Sequence, residues 1–295
     1  MRRNAAALFA SLLILSCGGA PEAPTTKDDL GRDVALPREV RRVVTLSPNL
    51  TEMVYATGAG ERLVGADDFS NFPAAAAKLP KVGGMQPNLE KIVALKPDLV
   101  LASTEGNHPN LAPALAAARI PLFVVRTDRL VQIAPAMRRV GGMLDAPDTE
   151  EAVRTLEAAV DAQRRARPKK TRVLFAVWTD PLYVAGRETF TDDLFALTGA
   201  ENAVPVKGWP QYSLESFIAA PPELLLYPRG AVTPQQVDAL LAKAGLQTRV
   251  IAVNEDIFQR PGPRMADAAA SLNAILDLHA SRASEHRQGA GPARP

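Results

Sequence analysis

Short, continuously apolar runs alternate with longer segments along most of the chain. Runs such as Arg42–Leu46 (RVVTL) and Asp98–Ala102 (DLVLA) place apolar residues at successive positions. That pattern is typical of strands buried on both faces of a parallel sheet, whereas half-exposed strands alternate apolar and polar positions. Predicted helices such as Leu130–Leu144 lie between the strands. The alternation of strands and helices therefore predicts an α/β fold.

One predicted helix, Asp148–Arg167, stands apart in the middle of the chain. It opens with acidic residues and closes with arginines, which suits the helix dipole, and Pro168 ends it. Asp148 and Glu151 have the spacing of a capping box. Twenty helical residues would span about 30 Å. Because only a narrow face is apolar, the segment fits either an ordinary surface helix or a strut between two lobes.

An internal repeat favours the strut. Asn88–Leu101 aligns without a gap with Ser213–Leu226, at a constant offset of 125 residues. A second pair, Thr51–Ala59 and Thr191–Ala200, aligns with one inserted residue. Since both pairs follow the same order on either side of the helix, we expect two similar Rossmann-like α/β lobes joined by a single long helix.

The start of the chain predicts export. Residues 1–17 combine a basic beginning, an apolar run too short to span a membrane, and the only cysteine, Cys17. This arrangement is typical of a bacterial lipoprotein signal peptide whose lipobox ends at a lipidated cysteine. A chance cysteine within a cleaved peptide is the alternative. Lipidation at Cys17 would anchor an exported protein to a membrane, in the periplasm or at the cell surface.

The predicted segments follow from these features. They are a tether and short hairpin over 18–37, an N-terminal lobe over 38–146, the linking helix over 147–168, a C-terminal lobe over 169–281, and a disordered tail over 282–295.

Composition argues against several classes of function. The net charge of +2, from 34 basic and 32 acidic residues, gives no global field for nucleic acid. With only three histidines, no metal site can be assembled at sensible spacing, and no Walker, GxSxG or HExxH motif occurs. We therefore predict neither a catalytic centre nor a bound cofactor or metal.

Binding signals are stronger, because ligands of open α/β sheets lie beyond the carboxyl ends of the strands. Both tryptophans of the chain fall in predicted loops there, and Trp209 lies between a glycine and a proline. Any one aromatic could belong to the core, but the set suits a large flat ligand. The candidate ligand-binding residues are Phe69, Met85, Trp178, Tyr183, Trp209, Asp256, Ile257, Phe258, Gln259 and Arg260.

Several blocks together resemble the periplasmic substrate-binding proteins for vitamin B12 and ferric siderophores, which serve ABC importers. The blocks are RVVTLSPNLTEMVYATGAG, VGADDFSNFP, NLEKIVALKPDLVLA, GWPQYSLE and NEDIFQRPGPR. The resemblance runs from about Asp28 to Leu278 and is closest to the vitamin B12-binding branch. It implies a class III architecture, in which two lobes joined by one long helix clamp the ligand with little hinge closure. We expect a monomer that carries a corrinoid or a metal chelate to a membrane permease.

The resemblance also implies roles for individual residues. Phe69 matches an aromatic that contacts the corrin, Trp209 matches the tryptophan of a WPQ loop, and Asp256–Arg260 matches a ligand-contacting D-x-F-x-R segment. Glu90 and Glu215 match the two glutamates that dock onto permease arginines, one from each lobe. These two glutamates are also mates in the internal repeat.

One departure keeps other ligands open. Where the B12 branch has a tryptophan before N-L-E, this chain has Gly83-Gly84-Met85, so one ligand wall is thinner. Another cobamide, a ferric siderophore or heme would also suit the family, and a membrane-anchored sensor or scaffold that binds a protein is the alternative from another class. Candidate groups for an anionic siderophore are Arg126, Arg187, Arg260 and Arg264, and candidate axial ligands for heme are Tyr183 and Tyr212.

Overall fold

The computed structural model describes residues 25–104 and 110–289, with side chains up to residue 282. Cys17, the signal peptide and most of the predicted tether lie outside these residues, as do the loop 105–109 and residues 290–295. No helix in the described part of the chain is long and apolar enough to cross a membrane.

The N-terminal lobe is a parallel sheet covered by helices on both faces. Its elements, which follow a small hairpin of β1 (Thr25–Lys27) and β2 (Asp33–Ala35), are β3 (Val43–Thr45), α1 (Pro48–Ala56), β4 (Leu63–Ala66), α2 (Leu89–Ala94), β5 (Leu99–Ser103), α3 (Leu111–Ala117), β6 (Leu122–Val125) and α4 (Leu130–Met143). The four strands β3 to β6 pair in the order β4-β3-β5-β6, all parallel. Every residue of β3 and β5 is buried, as the apolar runs predict.

The C-terminal lobe repeats this plan with one antiparallel addition. Its elements are β7 (Arg172–Thr179), β8 (Leu182–Val184), α6 (Phe190–Leu197), β9 (Glu201–Asn202), α7 (Leu214–Ala219), β10 (Leu224–Arg229), α8 (Pro234–Ala244), β11 (Arg249–Asn254), α9 (Glu255–Phe258) and α10 (Met265–Gly289). The strands pair in the order β11-β10-β7-β8, with β9 also on β7, and only β8 runs antiparallel. Trp178, which we expected in a loop, thus lies in a strand and belongs to the β7–β8 hairpin.

The linking helix is shorter than predicted. It is α5 (Thr149–Asp161), 13 residues long, and the side chain of Asp148 makes no capping bond. Its C-terminal continuation bonds to the second lobe instead of extending the helix, since Arg165 N–H donates to the carbonyl of Leu197 at 2.9 Å. At 1.5 Å per residue, the helix spans about 20 Å rather than about 30 Å.

The internal repeat is present in the backbone. Helices α2 and α7 begin and end 125 residues apart, at Leu89 and Leu214 and at Ala94 and Ala219. Helices α1 and α6 also end alike, because the hydroxyl of Thr57 or Thr198 donates to the carbonyl four residues earlier at 2.9 Å. A glycine with positive φ follows each threonine and turns the chain out of the helix.

The lobes share one apolar core on the side of α5. Met53 and Phe123 of the first lobe belong to the same buried cluster as Phe175 of the second, and α5 contributes Val153 and Leu156. Interiors of this kind pack at crystal-like density and resist sliding. A continuous core therefore favours small relative movement of the two lobes.

The last helix is longer than the sequence indicates. We expected the C-terminal lobe to end at residue 281 and a disordered tail to follow, but α10 continues to Gly289. The helix therefore includes residues 282–289 of the segment predicted as a tail. No proline or glycine interrupts the chain between His279 and Gly289, so local sequence offers no stop signal there.

The repeated helices α2 and α7 give a matched stability test. Asn88 and Ser213 cap them by accepting from the N–H groups of Lys91 and Ser216. We predict that Asn88→Ala and Ser213→Ala each lower the free energy of unfolding by about 1 kcal/mol. The double variant should lose about 2 kcal/mol, because the caps lie in different lobes. Urea denaturation measures both losses, and an effect confined to one lobe would contradict the equivalence.

Candidate ligand-binding cleft

The loop after β4, residues 67–72, forms the wall of the cleft on the N-terminal lobe. Buried Asp67 anchors it by accepting from the N–H of Phe69 at 3.0 Å and from the hydroxyl of Ser70. Thr51 continues the chain of hydroxyl contacts, lying 2.7 Å from Ser70 and 2.6 Å from Thr45. With its base fixed in this way, the loop presents the ring of Phe69 with 52% of its surface exposed.

The base of this loop is poorly solvated. Burial raises the pKa of Asp67, although the Ser70 hydroxyl, the Phe69 N–H and nearby Lys81 and Arg260 all oppose the shift. Burial also lowers the pKa of Lys81, whose ammonium donates to the carbonyl of Ser70 at 2.5 Å. Polar groups withdrawn from water hold their partners firmly, so the loop is well positioned.

Gly83 and Gly84, where the sequence predicts a thinner ligand wall, leave room for the ring of Phe69. A Cβ at Gly84 would lie 3.0 Å from the Phe69 ring, so the ring packs directly against this backbone. Asp68 N–H donates to the carbonyl of Gly83 at 3.0 Å, which joins the two loops. Met85 follows with 81% of its surface exposed. Where the two loops meet, the cleft therefore presents the Phe69 ring and a flexible thioether.

The β7–β8 hairpin forms the wall on the C-terminal lobe. The register shifts between Ala176 and Trp178, and Trp178 then lies opposite Tyr183. Such an irregularity re-aims side chains, and residues directly opposite each other share one face of a sheet. The indole N–H of Trp178 donates to the carbonyl of Asp180 at 3.0 Å. Trp178 and Tyr183 are 41% and 39% exposed, which leaves their rings accessible to a ligand.

Trp209 extends this wall. The N–H groups of Val184 and Gly186 donate to the carbonyls of Pro210 and Gly208 at 3.2 and 2.8 Å, so the segment runs beside β8. The indole of Trp209 packs on Phe190, with ring centroids 5.3 Å apart, and remains 37% exposed. The WPQ segment and the hairpin therefore form one aromatic surface.

The five most exposed aromatic side chains of the described residues all lie on these cleft segments. Four of them are predicted ligand residues, and the fifth, Phe72, follows Phe69 on the same loop. The full set is Phe69, Phe72, Trp178, Tyr183 and Trp209.

The segment Asp256–Arg260 contributes less to the surface than expected. Phe258 is fully buried and stacks on Phe175, with centroids 6.2 Å apart, so its assignment as a ligand contact is wrong. The helical turn of α9 places Phe258 on the core side, which the D-x-F-x-R spacing alone does not reveal. Asp256, Ile257 and Gln259 are half-buried and stay predicted contacts.

All four candidate arginines are engaged by protein groups. Arg260 contacts Asp256 at 2.5 Å, and Arg264 contacts Glu52 at 2.5 Å. The two others are also paired: Arg126 lies 2.9 Å from Asp128, and Arg187 lies 3.5 Å from Asp192.

Of the two candidate tyrosines, only Tyr183 is accessible. Tyr212 is buried against the C-terminal lobe and its hydroxyl faces the carbonyl of Ser216, so it is not a free axial ligand. No cluster of three metal-ligating His, Cys, Asp or Glu residues occurs in the part of the chain that the structure describes.

Glu90 and Glu215 occupy equivalent, exposed places in the first turns of α2 and α7. Neither takes part in an ion pair within residues 25–104 and 110–282. Hydrogen bonds from the backbone N–H of Glu215 and from the Ser213 hydroxyl lower the pKa of the Glu215 carboxyl group. This keeps the carboxylate charged. Three residues on, each helix exposes an apolar side chain, Val93 at 40% and Ile218 at 43%. Both lobes therefore display the same acidic and apolar pair.

Sequence reasoning missed Glu52 and Asn71, which connect the lobes beside the cleft. Arg260 donates to the side-chain oxygen of Asn71 at 2.7 Å, and Glu52 pairs with Arg264. A charged residue inside the apolar helix α1 was the only local signal for Glu52. Its partner lies 212 positions away, so no short-range pattern identifies the pair.

Two cavities flank α5, away from the predicted site. One of about 490 Å³ lies between α4, α5 and α6, and another of about 670 Å³ lies beside α1 and α10. None of the predicted ligand residues lines either cavity. The candidate site is instead the space at the carboxyl ends of the two sheets.

Comparison with known proteins agrees with this arrangement. The periplasmic binding protein family matches residues 43–256. A vitamin B12-binding protein from Pectobacterium atrosepticum is 34% identical over 246 residues, covering 79% of this chain and 87% of its own. Among solved structures, a periplasmic heme-binding protein from Roseiflexus in apo form superposes with a TM-score of 0.74 at 29% identity, covering 81% of this chain and 99% of that chain. A periplasmic vitamin B12-binding protein from Vibrio cholerae shares the fold, with a TM-score of 0.65 at 24% identity, covering 82% and 99%.

Two lobes, one linking helix and a cleft at the carboxyl ends of both sheets define a class III binding protein. The chain belongs to the periplasmic binding protein family. The relatives described above are binding proteins for vitamin B12 or heme.

Two phenylalanines separate the roles of core and wall. Phe258→Ala should lower the free energy of unfolding by about 3–5 kcal/mol, because it removes a fully buried ring. Phe69→Ala should change it by less than about 1 kcal/mol, since the ring is half exposed. Chemical denaturation of both variants measures the difference. Equal losses would show that Phe69 belongs to the core.

Proposed function

We propose that this protein binds a cobalamin or related corrinoid between its lobes and delivers it to the permease of an ABC importer. The observation that carries the proposal is the concentration of exposed aromatic rings on the cleft segments of both lobes. The names of relatives at 34–35% identity support the same ligand.

The aromatic surfaces are large enough for tight binding. A fully buried aromatic side chain removes roughly 150–250 Å² from water. Because these side chains are only 37–52% exposed, a ligand can cover about half of that area on each one, worth about 2–3 kcal/mol at 25 cal/mol/Å². Nanomolar affinity needs about 12 kcal/mol net of the cost of association. Three or four rings, of which Trp178 and Trp209 are the largest, therefore contribute about 6–12 kcal/mol, and the apolar faces of a flat macrocycle covered by them add to this sum.

The charges of the cleft favour this ligand over a ferric siderophore. An anionic siderophore needs uncommitted guanidinium groups. The four candidate arginines already contact carboxylates, so an anion would have to break existing pairs. A corrinoid depends mainly on apolar faces and amide hydrogen bonds, which the rings and half-buried polar residues provide.

Heme is the second candidate. Tyr183 is exposed beside Trp178, and a tyrosine oxygen can serve as an axial ligand of heme iron. The likeness to a heme-binding structure at 29% identity adds support. Heme bound through Tyr183 would give a Soret band that Tyr183→Phe shifts or abolishes.

The repeated surface on α2 and α7 suits docking to the permease. Glu90 and Glu215 are exposed carboxylates at equivalent positions, each with an apolar neighbour on the same helical face, Val93 or Ile218. Two equivalent acidic patches fit a partner that presents two equivalent arginine-bearing surfaces.

Export and anchoring complete the proposal. The apolar run before Cys17 would direct secretion, and lipidation of that cysteine would hold the protein at a membrane beside its importer. Mass spectrometry of the mature protein tests this step, since a lipidated protein begins at Cys17 and carries acyl chains. We propose that the protein acts as a monomer, with one lobe facing each half of the permease.

Ligand binding is tested by titrating the purified protein with cyanocobalamin and following tryptophan fluorescence and heat. We predict saturable quenching at submicromolar concentration, and Trp209→Ala should weaken binding by at least about ten-fold. Val131→Ala, which removes an exposed apolar side chain from α4, is the control and should bind normally. No response to cyanocobalamin at micromolar concentration would refute corrinoid binding, and heme and a ferric catecholate siderophore should then be titrated.

Docking is tested by charge reversal. Glu90→Lys combined with Glu215→Lys should leave ligand affinity unchanged and abolish uptake, because repulsion replaces two attractive contacts. Glu61→Lys combined with Glu201→Lys makes the same change in net charge on other exposed residues of the two lobes and should retain uptake. Normal transport by the first pair would rule out the docking role.

A further inference from the structure

Two arginines connect the lobes at the edge of the cleft. The Nε and Nη2 atoms of Arg264 donate to both carboxylate oxygens of Glu52, at 2.9 and 2.5 Å. Nη1 of Arg260 lies 3.5 Å from the same carboxylate. Glu52 belongs to α1 of the first lobe, and its side chain is only 2% exposed. The second lobe therefore supplies both cations that neutralise a buried anion of the first.

Arg260 also holds the loop that carries the Phe69 ring. Its Nη2 donates to the Phe69 carbonyl at 3.1 Å, and its Nη1 donates to Oδ1 of Asn71 at 2.7 Å. Asp256 of the second lobe contacts the same guanidinium at 2.5 Å and accepts from the Asn71 amide at 3.4 Å. The side chain of Arg260 is 11% exposed, so the protein covers most of the group.

The cluster carries no net charge. The carboxylates of Glu52 and Asp256 balance the guanidinium groups of Arg260 and Arg264. Burial lowers the pKa of Arg264, but the hydrogen bond and charge of Glu52 outweigh it and raise the pKa. Arg264 also lies over the Phe72 ring, 4.1 Å from its centroid. Apart from the Arg260–Asp256 pair, which lies within the second lobe, these contacts exist only when the two lobes are together.

We propose that Arg260 is an interlobe latch that positions the Phe69 wall and is not itself a ligand contact. The Phe69 loop has its base in the first lobe, but the bonds to the Phe69 carbonyl and Asn71 come from the second. Separating the lobes breaks these bonds and frees the loop, so opening the protein dismantles part of the ligand site. A permease that pulls the lobes apart would thereby lower the affinity for the ligand. Only this effect on affinity rests on the proposed function.

Hydrogen–deuterium exchange of the ligand-free protein tests the latch directly. In Arg260→Met, the amides of residues 67–72 should exchange about ten-fold faster, because two bonds to the loop are lost. Asn71→Ala removes one of these bonds and should show a smaller increase, which guards against misfolding of the first variant. Arg126→Met removes a paired arginine from another edge and should leave the loop unchanged. Unchanged exchange in both Arg260→Met and Asn71→Ala would overturn the proposal.

A double-mutant cycle separates positioning from direct contact. Arg260→Met should weaken cyanocobalamin binding about ten-fold in the natural sequence and less than about two-fold in a Phe69→Ala background. An arginine that touches the ligand would lose the same factor in both backgrounds, and that result would refute the latch. If cyanocobalamin does not bind at all, the proposed function fails, and the exchange experiment alone decides the role of Arg260.

Discussion

The pairing of Glu52 with two arginines across the lobes is the interaction on which the cleft depends. A carboxylate this deeply buried would cost several kcal/mol if it lost its partners. Arg264 and Arg260 must therefore lie where they do, and Arg260 then fixes the Phe69 loop. Because both guanidinium groups are paired with carboxylates, neither is left to bind an anionic ligand. One electrostatic requirement thus joins the lobes, shapes a wall and leaves the cleft without free guanidinium groups at these positions.

Stiffness comes from the opposite side of the molecule. The shared core around Met53, Phe175 and Leu156 continues from one lobe to the other along α5. A second ionic link, Arg129 to Asp193 at 2.5 Å, joins α4 to α6. Opening must therefore strain a packed interior and break ionic contacts at both edges. An importer that works against such a structure must supply binding energy of its own.

The sequence predicts features whose causes are local. The apolar runs identify the parallel strands, and the repeat identifies equivalent caps at Asn88 and Ser213. Prediction from the sequence fails where contacts between residues far apart in the chain determine the structure. The linking helix stops at Asp161 because the chain bonds to the second lobe, and Phe258 turns inward because Phe175 lies behind it. Among the predicted ligand residues, the exposed aromatic rings lie where a ligand can reach them, whereas Arg260 is paired with carboxylates of both lobes.

A crystal structure of the complex with cyanocobalamin would locate the ligand and decide whether Arg260 touches it. We predict that the corrin lies between the Phe69 loop and the surface formed by Trp178, Tyr183 and Trp209, with the Arg260 contacts to Glu52, Asp256 and Asn71 intact. Ligand density in the cavities beside α5, or a corrinoid anchored by the Arg260 guanidinium, would contradict it.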